Sequence, residues 1–220
     1  MKRLMMVAAL AVAQSGCVSA QEDAPVLFSN ALALSGVPGG ACEVDTSKFI
    51  SQGSLDLAGG ENYLLAMRVR SAIPTSRTVI VGDSPTTVGG SSVTLTEFVY
   101  RYESSAELGL PEEETAATYA VVPAGATGDS YVSVNAFGPQ AFAKLKESGN
   151  VPSEFPGVSV ITYIKARGHL GSTSNVESNE FSFPVAVFNS RCTVAAGVCR
   201  KGQDAATACV PVSSPPPTTP

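Results

Sequence analysis

Two segments near the C-terminal end, GVSVITYIKAR (157–167) and VESNEFSFPVAVF (176–188), alternate side-chain type with a period of two. The Gly- and Ser-rich GHLGSTSN joins them. Successive side chains of extended backbone point to opposite faces, so this alternation selects neighbouring strands with one buried face. Phe181, Phe183, Val185 and Val187 share a face, and Pro184 falls on the other. Proline donates no ladder hydrogen bond, which places this strand at a sheet edge or bends it there.

The same period recurs upstream. GSLDL (53–57) and YLLAMRV (63–69) flank the turn-like AGGEN and read as a hairpin. In VTLTEFVYRYE (93–103), Val93 and Leu95 lie on one parity while Phe98, Tyr100 and Tyr102 lie on the other. A β-bulge near Thr96–Glu97 would return both sets to a common buried face. TYAVVP (118–123) and SYVSVNAF (130–137) complete a set of seven strands. One short helix is expected from Pro139, a residue suited to the first helical position, to just before Gly149, with Phe142 and Leu145 as its apolar ridge. Charged residues are 15% of the chain, against roughly 25% in ordinary domains, and 20 Gly and 15 Pro suit many short strands and turns. The predicted fold is all-β: an antiparallel immunoglobulin-like sandwich of about seven strands, one short helix, and a disulfide-stapled C-terminal extension.

The N-terminus reads as an export signal. Lys2 and Arg3 precede LMMVAALAVA, ten apolar residues where a spanning helix needs roughly 20. Cys17 follows closely, with Gly16 and Ser15 before it, the small residues a lipidation site takes; Gln14 departs from the Leu, Val or Ile of that site's third position. The alternative is cleavage after Ala20, with Val18 and Ala20 as the small flanking residues. A cysteine in a discarded segment is unusual, so lipidation of Cys17 is favoured. The organisation is then a signal peptide (1–16), a tether (17–41), the sandwich with its cysteine cluster (42–209) and a Pro/Ser/Thr tail (210–220). Val18, rather than Asp, follows the lipidated residue and directs the expectation to the outer membrane.

Removal of residues 1–16 leaves a charge of (14 − 2) − 19 = −7. An acidic chain without basic runs lacks the footprint of a nucleic-acid binder, and anionic lipid heads repel it, so membrane attachment falls to the lipid on Cys17. Cys42, Cys192, Cys199 and Cys209 form an even set that reads as two disulfides in an oxidising compartment. The expected pairing is Cys199–Cys209 around RKGQDAATA, leaving Cys42 to meet Cys192. Their spacing lacks the tight pairs of a zinc site, so no metal and no cofactor is expected.

Nothing in the sequence assembles a catalytic constellation. His169 is the single histidine, placed in a predicted turn beside Gly168, and no G-x-S-x-G elbow is present. Glu112, Glu113 and Glu114 read as a solvated acidic loop, Glu177 and Glu180 as surface charges. The aromatic stripe Phe98, Tyr100, Tyr102 reads as core rather than a stacking platform.

The segments GSLDLAGGENYLLAMRV, GHLGSTSNVESNEFSFPVAVF and CRKGQDAATAC together resemble uncharacterised predicted outer-membrane lipoproteins of myxobacteria over roughly residues 42–209. In that group a strand pair ending in V-E-S-x-E-F-x-F-P precedes a cysteine-rich end carrying G-Q-D. The resemblance implies a lipid-anchored envelope protein and supplies no catalytic residues. This chain has fewer cysteines than the group, so no disulfide pattern is carried over. The expected function is a non-enzymatic structural or partner-binding module that meets a protein or polymer of the envelope. The alternative is a periplasmic or secreted enzyme or ligand-binding protein with a site built from loops.

Overall fold

The computed structural model describes residues 24–36, 42–172, 174–190 and 199–204. The chain is all-β, with two main sheets, one projecting ribbon and one α-helix among the described residues. The first sheet contains β1 (Val26–Gly36), β2 (Cys42–Ile50), β4 (Leu64–Ser71) and β9 (Thr127–Asn135), in the order β2-β1-β4-β9. The second contains β3 (Gly53–Asp56), β7 (Val93–Ser104), β8 (Glu113–Val122), β10 (Val158–Leu170), β11 (Ser174–Glu177) and β12 (Phe181–Phe188). Its order is β3-β12-β10-β7-β8, with β11 on β10. Among the described residues, strands β5 (Ser76–Val81) and β6 (Ser84–Gly89) pair only with each other.

Strand β10 shows how the sequence builds the layers. Val158, Val160, Thr162, Ile164, Ala166 and Gly168 point inward and are buried, while Ser159, Ile161, Tyr163, Lys165 and Arg167 face out. Facing them across the core are Phe28 and Ala31 of β1, Leu65, Met67 and Val69 of β4, and Val132 and Val134 of β9. Burying each large apolar side chain contributes about 1.5–3 kcal/mol relative to exposure. Gly168 sits where β7 bulges: a Cβ there would lie 2.1 Å from the Thr94 carbonyl oxygen. The expected bulge is present, with the β7–β8 register shifting between Leu95 and Glu97, and Val93, Leu95, Phe98 and Tyr100 are all buried. The aromatic stripe is core. Helix α1 (Pro139–Glu147) begins on Pro139 as expected and buries Ala141 and Leu145.

Several expectations are corrected. There are twelve strands among the described residues rather than seven. Residues 26–36 of the expected tether form β1, with Val26, Phe28, Ala31 and Leu32 buried. The expected hairpin of 53–57 with 63–69 does not form. β3 runs parallel to β12 and β4 pairs with β1 and β9, because Leu55 and Leu65 fill the core from opposite layers. Pro184 lies opposite Ile161 of β10, and β3 joins β12 only from Val185 onward, so the prolyl half of β12 has a named strand on one side alone.

Cys42 bonds Cys199, with Cα atoms 5.3 Å apart, and not Cys192. The reason is the course of segment 199–204, which crosses back over β3 and β4. The Asp56 N–H donates to the Gly202 carbonyl at 2.8 Å, and the Asp204 N–H to the Ser54 carbonyl at 2.9 Å. That path leaves Cys199 beside the start of β2. Cys17, Cys192 and Cys209, with the signal segment and the tail, lie outside the described residues.

Candidate functional site

Three buried polar residues, Asp56, Asn62 and Gln203, lie where the C-terminal segment crosses the sheets. Gln203 is fully buried, and its side-chain amide brackets one residue of β4. The Leu64 N–H donates to its Oε1 at 2.9 Å, and its Nε2 donates to the Leu64 carbonyl at 2.9 Å. Asn179, between β11 and β12, treats Phe28 of β1 the same way: the Phe28 N–H donates to Oδ1 at 2.7 Å, and Nδ2 donates to the Phe28 carbonyl at 2.9 Å. Each amide stands in for a length of partner strand.

Carboxylates complete the clasp. Asp204 accepts from the Ser54 N–H at 2.7 Å and from the Tyr63 hydroxyl at 2.7 Å. Tyr63 is wholly buried, and burial, reinforced by the Asp204 charge, pushes its phenol well above the ordinary value. Asp56 accepts from the N–H groups of Ala58 and Ser190, both at 3.0 Å, and from the Ser190 hydroxyl.

A second carboxylate site lies at the start of α1. Of the expected solvated acidic run, Glu112 precedes β8 and Glu113 is exposed on it, but Glu114 lies within β8 and is 4% exposed. It accepts from the N–H groups of Gln140 at 2.8 Å and Ala141 at 3.0 Å, and from the Tyr102 hydroxyl at 2.7 Å. Gly138 offers no capping side chain, so an acid from another element binds the unpaired N–H groups at the positive end of the helix. A Cβ on Gly138 would fall 2.4 Å from the Glu114 carboxyl carbon. Burial also raises the Tyr102 phenol, with its bond to Glu114 adding to the rise.

The surface presents two further features. A groove of about 320 Å³ runs over the outer face of β3, β12 and β10; Phe155, Pro156, Pro184 and Ala186 form its apolar side, and Ser54 and Asp204 its polar side. The β5–β6 ribbon stands clear of both sheets, with Ile80 78% and Val81 64% exposed near its turn. Tyr119 on β8, an edge strand of the second sheet, is 80% exposed.

The residues weighed from sequence are dispersed. His169 lies in strand β10 opposite Thr94 and Asn175, exposed and away from the groove, rather than in a turn. Glu177 pairs with Arg167 at 2.7 Å, and Glu180 with Arg101 at 3.3 Å. The Arg101 guanidinium lies 4.1 Å from the centre of the Tyr163 ring. Among the described residues, no group of three or more His, Cys, Asp or Glu is placed to hold a metal ion. No helix there is long and apolar enough to cross a membrane. Sequence reasoning does not single out Gln203 or Asp204, and it reaches Glu114 only as part of an acidic loop. The G-Q-D run carries the first two, and Glu114 shares its parity on β8 with the inward Ala116, Ala120 and Val122.

Comparisons with protein-family models, curated proteins and solved structures return no match to this chain.

Proposed function

We propose that this chain is an exported, lipid-anchored outer-membrane protein whose β-sandwich is a non-enzymatic structural or partner-binding module. The observation that carries the reading is how its buried and half-buried carboxylates are used. Asp56, Asp204 and Glu114 each accept two or more hydrogen bonds from the chain's own N–H or O–H groups. They fasten segments to one another, which is the work of a scaffold. Segments of the resemblance to myxobacterial lipoproteins fall on these fasteners: the Ser178 hydroxyl accepts from the Ala166 N–H at 2.8 Å, and Gln203 and Asp204 form the clasp. The order β1-β4-β9 facing β12-β10-β7, with parallel β3 beside β12, supports the immunoglobulin-like label for the sandwich. The disulfide is in keeping with an oxidising compartment.

Mass spectrometry of the natively expressed protein's N-terminus tests the anchor. Lipid mass on Cys17 is expected, and Cys17→Ala should release the protein into the soluble fraction. An unmodified terminus at Gln21 would overturn it. The groove beside Asp204 favours a second reading, a ligand-binding or hydrolytic protein. Turnover or binding of a defined small molecule, lost in Asp204→Asn while the fold persists, would establish that reading instead.

A further inference from the structure

We propose that the β5–β6 ribbon is a membrane-contacting arm that lays Ile80 and Val81 against the bilayer holding the lipid on Cys17. The inference rests on the anchor reading and extends it to a surface. Its first support is that the ribbon has no place in either sheet. Both strands are exposed along nearly their whole length, and among the described residues they pair only with each other. An isolated two-stranded ribbon is marginal in water, and exposed apolar residues at its end mark a contact surface.

The second support is where the anchored chain enters the fold. β1 begins at Val26, which lies opposite Ser71, the last residue of β4. The ribbon leaves from that same point, and the Ala72 N–H donates to the Pro25 carbonyl at 3.0 Å. The tether and the arm therefore share one end of the sandwich. The Cys42–Cys199 bridge and Phe155 lie at the other, where β10 begins and β12 ends.

Lengths agree. From Cys17 to Pro25 is 25 − 17 = 8 residue steps, at most roughly 26–29 Å of extended chain. A six-residue strand such as β5 reaches roughly 20 Å at about 3.4 Å per residue. A lipid on Cys17 thus keeps the bilayer within the span of the arm. Charge agrees as well. Residues 72–91 contain Arg77 and Asp83 as their only charged side chains, a balance of 1 − 1 = 0, in a processed chain of −7. Taken as a whole the arm is less repelled by an anionic surface than the rest of the chain, with Asp83 in its turn offset by Arg77 near its base.

The chain has no Trp, so Ile80→Trp installs a single reporter. The full-length processed protein is reconstituted into phosphatidylcholine vesicles with and without bromine on the acyl chains, alongside Phe155→Trp as the control at the far end. Three results are expected: flotation with the vesicles, a blue-shifted emission from the Ile80→Trp variant that brominated lipid quenches, and an unquenched emission from Phe155→Trp. Flotation of an Ile80→Trp variant that emits as in water and stays unquenched overturns the arm while leaving the anchor intact. A blue shift without bromolipid quenching also overturns it, since the arm is then covered by protein. Failure to float, with an unmodified N-terminus, overturns the anchor reading and the arm with it. In a second variant, Ile80→Asp with Val81→Asp should leave flotation intact and increase protease cleavage within residues 72–91 on vesicles; unchanged cleavage counts against the arm.

Discussion

Gln203 pairs with Leu64 through both ends of its amide, taking the position a neighbouring strand would hold. β1 pairs with β4 only as far as Ala66, so the ladder edge at Leu64 would otherwise be open. Gln203→Ala removes two hydrogen bonds and leaves a partly buried N–H and C=O without protein partners, a loss of about 2 kcal/mol. Gln203→Glu keeps an acceptor for the N–H but sets a carboxylate against the Leu64 carbonyl. That contact favours the protonated acid, which can donate, so the folded-state pKa of the new group is raised. The deficit against wild type should therefore shrink as pH falls and be smallest below about pH 4.3. Paired denaturation curves at acidic and neutral pH check both. A deficit in Gln203→Glu that does not change with pH would show that the amide donor is not what holds the segment.

A separate prediction concerns Glu114, the buried carboxylate at the start of α1. Replacing it with Ala removes three hydrogen bonds, two of them to otherwise unpaired helix N–H groups. Bonds to a charged acceptor are worth roughly 1.5–3 kcal/mol each, with partial recovery through water, so a loss of about 3 kcal/mol is expected. Glu114→Gln should cost less than half as much. Hydrogen exchange should accelerate at Gln140 and Ala141 before the strands of the second sheet respond. Uniform acceleration across the sheet would show instead that Glu114 supports the core rather than the helix.

How legible this was in the sequence differs by element, for physical reasons. β7 could be read with its bulge because its buried residues change parity between Leu95 and Phe98. β1 could not, because its own register shift between Phe28 and Asn30 breaks the alternation that identifies a strand. β5 and β6 bury almost nothing, so no periodicity marks them. Period-two patterning assigns a face but not a neighbour, which is why the GSLDL and YLLAMRV strands were legible while their pairing was not. Glu114 was hidden by Glu112 and Glu113. Three consecutive acids read as solvated until the parity of Ala116, Ala120 and Val122 places the third one inside. The clasp residues Gln203 and Asp204 act across separations of 139, 141 and 150 residues, which no local pattern encodes.

Alkaline pH should weaken the fold through its buried phenols. Tyr63, Tyr100 and Tyr102 all have pKa values raised from 10.0, chiefly by burial, with nearby carboxylates adding to the rise. A raised folded-state value means the neutral form is the one the fold favours. The stabilisation is complete below the unfolded value of 10.0 and declines as pH climbs above it. On account of these groups, stability should be flat through about pH 9 and fall beyond about 10. Ultraviolet titration should show the phenols of Tyr63, Tyr100 and Tyr102 ionising only with unfolding. Native-state ionisation of these three would contradict the burial argument.

The final prediction concerns the Cys42–Cys199 bridge, whose partners are 157 residues apart in sequence. Cross-linking so distant a pair removes much of the unfolded chain's freedom, and chain-entropy arithmetic gives a stabilisation of about 5 kcal/mol for a loop of this size. The bridge also fixes Cys199 only four residues before Gln203, so the clasp onto Leu64 and Ser54 forms with little further loss of entropy. Because one bond serves both cysteines, Cys42→Ser and Cys199→Ser should lose the same stability, and the double variant should lose no more than either. A bond to Cys192 would instead make Cys42→Ser costly and Cys199→Ser independent of it. Non-reducing peptide mapping gives the direct answer. The peptide containing Cys42 should be joined to the one containing Cys199, and recovery of Cys42 with Cys192 or Cys209 would falsify this pairing.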